Sequence, residues 1–223
     1  CGYHVGNVLT INETIINAKK NNVSVGAHPG FKDKKNFGRK KINLSKDELV
    51  KLIRDQLEII NQISLFNNYP LTHVKLHGAL SNMACENIEI SLIIAETIKK
   101  FCQDLIFIVL PATKLEAASK KIQIKYACEV FADRNYQDNG LLIPRNKKNA
   151  FILDHIDASR KILNMLQEES IISFTGKKIK CNIDTICIHG DNKNAPLFAK
   201  EIKKILSINN YDFVNLDKLQ KVN

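Results

Sequence analysis

The chain lacks any apolar run of the roughly 18–20 residues that a membrane-spanning helix requires. Its opening, CGYHVGNVLT, has neither the basic start nor the apolar stretch of a secretory leader. The six cysteines (Cys1, Cys85, Cys102, Cys128, Cys181, Cys187) form no C-x-x-C pair and no regular framework, so free thiols in a reducing cytoplasm are the expectation. No G-x-x-x-x-G-K-[ST] loop is present, so nucleotide chemistry would have to draw on another polypeptide or an unusual site. There is no H-E-x-x-H and no G-x-S-x-G elbow, which argues against a one-helix zinc site and against serine acyl-enzyme chemistry. No repeat, low-complexity tract or linker divides the chain.

What is present is ordinary globular composition: 223 residues, 44% hydrophobic and 25% charged. The length suits one domain, residues 1–223, with a large core. The chain opens on Cys1 rather than Met, and the expectation is that the natural protein starts upstream. A net charge of +10 raises nucleic-acid binding, but the basic residues are scattered doublets such as Lys19–Lys20, Lys99–Lys100 and Lys120–Lys121. No recognition motif accompanies them, so no nucleic-acid partner is expected.

Short apolar runs alternate with amphipathic stretches, which predicts an α/β fold with a parallel sheet. Strands are expected at Val23–Ala27, Thr72–Leu76, Leu105–Leu110, Ile124–Val130, Thr185–His189 and near Phe213–Leu216. Helices are expected at Val8–Asn21, Lys46–Phe66, Ile88–Phe101, Ala112–Lys121, His155–Glu168 and Ala195–Ser207. Ser45 and Glu48 form a capping box before the stripe Leu49, Leu52, Ile53, Leu57, Ile60, Ile63. The stretch Ala132–Asn149 reads as one long irregular loop, and its charged and aromatic content favours a functional one.

Polar residues gather where strands end. His28 closes one strand, His77 another, Glu129 and Asp133 a third, and His189 and Asp191 a fourth. In a parallel βα barrel the C-terminal strand ends meet at one face, where active sites are built. Alternation places Val74 and Leu76 on the helix-covered face, so Lys75 and His77 face the barrel interior. The same alternation sets Ser24 and Gly26 beside His28, where small side chains leave room for a pocket. Each residue alone has an ordinary structural explanation: a hydrogen-bonded strand-end histidine, a Lys75 ion pair with Glu129 or Asp133, surface arginines at Arg134 and Arg145. Asp33, Asn36 and Arg39 have one too, as turn residues after His28. The joint pattern is what points to a site.

Two chemistries fit. His28, His77 and His189 could bind a divalent metal that activates water. They could instead act as metal-free acids and bases, with Lys75 stabilising a developing oxyanion.

The segments CGYHVGN (1–7), GAHPGFKDKKNFGRK (26–40), HVKLHGALSN (73–82), EVFADRNYQDNGLLIPR (129–145) and CIHGDNKNA (187–195) resemble, in order, the signatures of the 5-oxoprolinase A-subunit family, also called LamB/YcsF. The resemblance runs to about Ala195. It implies a distorted, seven-stranded-type parallel β/α barrel related to polysaccharide deacetylases and sugar hydrolases, with its first strand missing from this chain. It implies ATP-dependent opening of 5-oxo-L-proline to L-glutamate, with ATP as co-substrate and with partner subunits B and C. By motif the site would hold His4, His28, Lys75, His77, Glu129, Asp133, Arg134, Arg145, His189 and Asp191. His77 or His189 would transfer protons, Lys75 would stabilise charge, and Glu129 or Asp191 would orient a histidine or water. His4, His28, Arg134 and Arg145 would bind the small acidic substrate. The family pattern has Asp where this chain has Asn7 and Asn139. Two rival expectations stand beside this one: a stand-alone metal-dependent deacetylase or amidohydrolase, and a non-catalytic small-ligand carrier.

Overall fold

The computed structural model describes residues 1–219, which form two compact units. The first comprises Cys1–Val109, Lys114–Ala127 and the chain from Asn215; the second comprises Leu110–Thr113 and Cys128–Val214.

In the first unit, α1 (Val8–Lys20) leads to the short strand β1 (Gly26–Ala27) and the long helix α2 (Lys46–Phe66). Strand β2 (His73–Lys75), helices α3 (Gly78–Glu86) and α4 (Ile88–Phe101), strand β3 (Ile106–Val109) and helix α5 (Lys114–Ile122) follow. β1 pairs parallel with β2 and β2 parallel with β3, in registers Ala27 to Val74 and Val74 to Phe107. β4 (Tyr126–Phe131) begins in this unit and continues in the second, where it pairs parallel with β7 (Thr185–Cys187). The second unit also holds α6 (His155–Gln167), the antiparallel pair β5 (Ser170–Ile172) and β6 (Lys178–Lys180), and α7 (Ala195–Ile208).

The helix ends follow from local chemistry. The Ser45 and Glu48 capping box forms, with the Ser45 N–H donating to Glu48 at 2.7 Å. Leu49, Ile53, Leu57 and Ile60 are then buried along one stripe. Three basic doublets, Lys19–Lys20, Lys99–Lys100 and Lys120–Lys121, occupy the last turns of α1, α4 and α5, where cations complement the helix dipole. That gives part of the positive charge a folding role without any partner.

The segment expected as a strand near Phe213–Leu216 does not become one. It is extended with Phe213 and Val214 exposed, then turns into a 3-10 helix at Leu216–Lys218. The apolar residues there suit a strand, but no ladder partner takes up their backbone groups among the described residues. Two features were not expected: α3, which starts directly after His77, and the β5–β6 hairpin. None of the six cysteines is in a disulfide. No helix among the described residues is long and apolar enough to cross a membrane.

Candidate functional site

In the first unit the sequence folds three histidines together. His28 follows β1, and its Nδ1–H donates to the Lys75 carbonyl at 2.8 Å. His77 is the N-cap residue of α3 and makes no side-chain cap bond; its Nε2–H donates to the Phe37 carbonyl at 2.7 Å. Carbonyl oxygens only accept, so these two bonds fix both tautomers. His28 Nε2 and His77 Nδ1 then face each other at 3.0 Å. His4 stacks on His77 with centroids 3.8 Å apart, and it lies edge-on to His28 at 5.8 Å. His4 is 3% exposed, and its Nδ1 has no hydrogen-bond partner.

The surrounding backbone makes room for these rings and holds them. A side chain at Gly30 would press on His4 Nδ1 and His77 Cβ, both 3.1 Å from its Cβ. One at Gly38 would meet His4 Cβ at 2.9 Å from a backbone already at φ +66°. Gln56, wholly buried on α2, clamps Gly30 twice: it accepts from the Gly30 N–H at 3.1 Å and donates to its carbonyl at 2.9 Å. The His77 N–H donates to Pro29 at 2.8 Å, and the Ala79 N–H to Gly38 at 3.0 Å. The loop from His28 to Arg39 is thereby stapled to the turn between β2 and α3.

Burial keeps His4 and His28 neutral. It is the largest cause lowering His4 to about 3, with the nearby His77 adding to it. It also holds His28 well below the ordinary histidine range, and the Lys75 charge pushes the same way. Val74 and Leu76 are buried and Lys75 is half-buried, as alternation along β2 requires. The room expected beside Gly26 is filled rather than open, because a Cβ there would fall 2.2 Å from the His73 ring. His73 is lowered to about 4 by burial and then by Lys75.

The second unit carries a different arrangement. Asp133 follows β4 and His189 follows β7. His189 Nδ1–H donates to both carboxylate oxygens, at 2.7 and 2.9 Å, with Asp133 4% exposed. The Phe131 ring lies 5.5 Å from the imidazole. Glu129 is buried on β4, and its charge helps raise the Tyr136 phenol, which burial alone already holds well above its ordinary value. Asp191 is exposed on the turn after β7.

Arg134 and Arg145 organise the long loop. Arg134 is buried; its Nε donates to the Ala150 carbonyl at 3.1 Å and its Nη2 to that of Ile143. Arg134 and Arg145 lie over the Phe151 ring at 5.1 and 5.2 Å. Lys161 of α6 donates to Asn135 at 2.8 Å, and burial pulls its ammonium down to about 8.

Of the histidines expected together, His28 and His77 are joined by His4. Their ring nitrogens, one from each, lie within 4.8 Å of one another, a spacing that could hold a metal ion. His189 belongs to the second unit and pairs with Asp133. Sequence reasoning missed Gln56. The signal for Gln56 was available: a polar residue between Ile53 and Ile60 on a buried stripe needs a hydrogen-bonding reason to be there.

The two Asp-to-Asn departures have local roles. The Asn7 side chain caps α1, accepting from the Thr10 N–H at 3.0 Å, and the Asn139 side chain accepts from the Leu141 N–H at 3.0 Å. Asp and Asn serve such positions almost equally.

Comparison with known proteins agrees with these motifs. The 5-oxoprolinase A-subunit of Staphylococcus epidermidis is 41% identical over 216 residues, covering 97% of this chain and 86% of that protein. The protein of the same name from Nitrobacter hamburgensis is 40% identical over 210 residues, covering 94% and 82%. The crystal structure of the lactam utilization protein from Thermus thermophilus superposes with a TM-score of 0.86 at 35% identity, covering 94% of this chain and 84% of that one. The α/β class and the parallel β/α architecture expected from the sequence are therefore those of a solved relative. The sequence model of the LamB/YcsF family matches residues 1–221, and the chain belongs to that family.

Proposed function

We propose that this chain is the A-subunit of an ATP-dependent 5-oxoprolinase, which opens 5-oxo-L-proline to L-glutamate together with partner subunits B and C. The observation that carries the chemistry is the Asp133–His189 pair. With Nδ1–H committed to the carboxylate, His189 presents Nε2 as the proton acceptor. It takes a proton from the attacking water while Asp133 stabilises the imidazolium, as a buried carboxylate does for a catalytic histidine. Water adds to the lactam carbonyl, the ring C–N bond breaks, and the imidazolium returns the proton to the departing nitrogen. One water is consumed in opening the ring, and ATP is hydrolysed alongside.

Other residues match this substrate by chemistry. Lys75 supplies a cation suited to oxyanion charge, and Arg145 one suited to a carboxylate. Arg134, with its guanidinium on two backbone carbonyls, is assigned to shaping the loop rather than gripping substrate. The need for other subunits is supported by the name of the relatives, which makes each of them one lettered part of a 5-oxoprolinase; ATP as co-substrate follows from the family resemblance. The absence of a phosphate loop from this sequence agrees with that division of labour.

The test is reconstitution. Glutamate release from 5-oxo-L-proline should require ATP, this chain and both partners; no release from the complete assembly refutes the reading. Turnover by the chain alone, abolished by a chelator, would favour the stand-alone metal-dependent amidohydrolase instead. A pure carrier role is not favoured, because Asn7 caps a helix, Asn139 closes a turn, and their departure from Asp does not imply lost catalysis.

A further inference from the structure

We infer that His4, His28 and His77 form a binding site for one borderline divalent transition-metal ion of the zinc, cobalt, nickel or copper class. The tautomers come first. With His28 Nδ1–H on the Lys75 carbonyl and His77 Nε2–H on the Phe37 carbonyl, His28 Nε2 and His77 Nδ1 face each other at 3.0 Å. One cation, a proton or a metal ion, can be shared by two ring nitrogens at that distance. The outward N–H of each ring held by a backbone carbonyl is the supporting pattern found behind metal-ligating histidines.

A second observation is independent of that pair. His4 Nδ1 is one of only two side-chain polar atoms that are buried without a hydrogen-bond partner among the described residues. Its ring sits against the same pair, and one nitrogen from each of the three rings lies within 4.8 Å of the others. A buried polar atom without a partner is costly, so it asks for a ligand.

Geometry sets the class of ion. Two nitrogens 3.0 Å apart, each about 2.0–2.1 Å from a metal, subtend roughly 91–97° there, a normal ligand angle. Bringing His4 Nδ1 onto the same ion asks its ring to turn out of the stack on His77, and no hydrogen bond holds that nitrogen back. Three imidazoles suit zinc, cobalt, nickel or copper and leave an open position; magnesium and calcium require oxygen donors.

The experiment uses the whole chain, stripped with a chelator and titrated with zinc by calorimetry and with copper by electron paramagnetic resonance. One zinc per chain is expected, with copper showing nitrogen hyperfine coupling from imidazoles. His4→Ala should weaken zinc binding by more than the roughly 10–100-fold typical of losing a supporting partner. His155→Ala, at a histidine outside the cluster, should bind as the parent does. Retained stoichiometry and affinity in His4→Ala, or a copper signal without nitrogen coupling, overturns the site. Nitrogen NMR showing one proton shared between His28 and His77, in protein that takes up no zinc, overturns it as well. Folding of each variant is checked by circular dichroism, and His4→Gln gives a second variant should His4→Ala not fold. Binding is read on the isolated chain, so this site can fail while 5-oxoproline turnover by the assembly succeeds, and the reverse.

Discussion

The two histidine arrangements solve opposite problems with the same side chain. In the first unit, three imidazoles share a buried setting in which backbone carbonyls take the outward N–H groups of His28 and His77. In the second, His189 is partly exposed and gives its N–H to the Asp133 carboxylate. A carbonyl fixes a tautomer without adding a full charge, so burial decides, and His4 and His28 stay neutral. A carboxylate fixes the tautomer and also stabilises the imidazolium, so the ring can accept a proton and release it. The first arrangement suits ligation and the second suits proton transfer. What hydrogen-bonds the far side of a histidine tells its chemistry better than where it falls in the sequence.

The largest expected effect breaks the second arrangement. His189→Ala should lower turnover of the reconstituted enzyme by about 10²–10⁴-fold, the usual worth of a positioned acid–base group. Asp133→Asn should fall in the same range. The check is kcat for glutamate release, with circular dichroism confirming that the fold persists. An effect on KM alone would make the pair a binding device.

Next in size is a change that loosens the first arrangement without touching its rings. Gln56→Leu keeps volume but strands the Gly30 N–H and carbonyl that Gln56 satisfies. We expect about 2–4 kcal/mol of lost stability, from two unsatisfied buried groups at about 1–3 kcal/mol each and partial relaxation. Urea unfolding measures it. An unchanged midpoint would mean that the loop after His28 is held by its other bonds.

How much of this was legible in the sequence follows from what each feature depends on. The span of α2 was readable because its capping box and stripe are local. The strand ends were readable because period-2 burial of Val74 and Leu76 against Lys75 is local too. His28 and His77 as neighbours could be expected from parallel pairing of β1 and β2. His4 was placed in the site by motif resemblance alone; its stacking as the third ring is not a local pattern, because it arrives from a loop before α1 and its place is set by Gly30 and Gly38 yielding space. Asp133 and His189 each stood out at a strand end, but their pairing depends on the β4–β7 register, a long-range property that no local pattern encodes.

His73 tests whether burial alone neutralises a ring outside both arrangements. Its folded pKa of about 4 lies below the unfolded value, with Lys75 opposing its protonation and Asp217 favouring it. On acidification the unfolded chain takes up the proton first. The contribution is therefore intact above about pH 6.5 and declines as pH falls from there toward about 4, after which it levels off. By pH 5 this residue should account for about 2 kcal/mol of lost stability. Urea midpoints at pH 7 and pH 5 should converge in His73→Asn relative to the parent; equal slopes in both would remove His73 from the account.

The smallest expected effect lies at Asn7 and Asn139, where the resemblance implies Asp in the family pattern. If Asn7 caps a helix and Asn139 closes a turn, then Asn7→Asp and Asn139→Asp keep the acceptor oxygen that Thr10 and Leu141 use. Stability should move by less than about 0.5 kcal/mol, with Asn7→Asp tending upward because a carboxylate at a helix N-terminus meets the positive end of the dipole. Asn7→Ala should instead cost about 1 kcal/mol by removing the cap. Turnover should stay within about twofold in both Asp variants, since neither side chain reaches the Asp133–His189 pair through any hydrogen bond it makes here. A large gain in turnover in Asn7→Asp would mean the amide had replaced a working carboxylate, and the proton-transfer role would then have to be shared beyond the second arrangement.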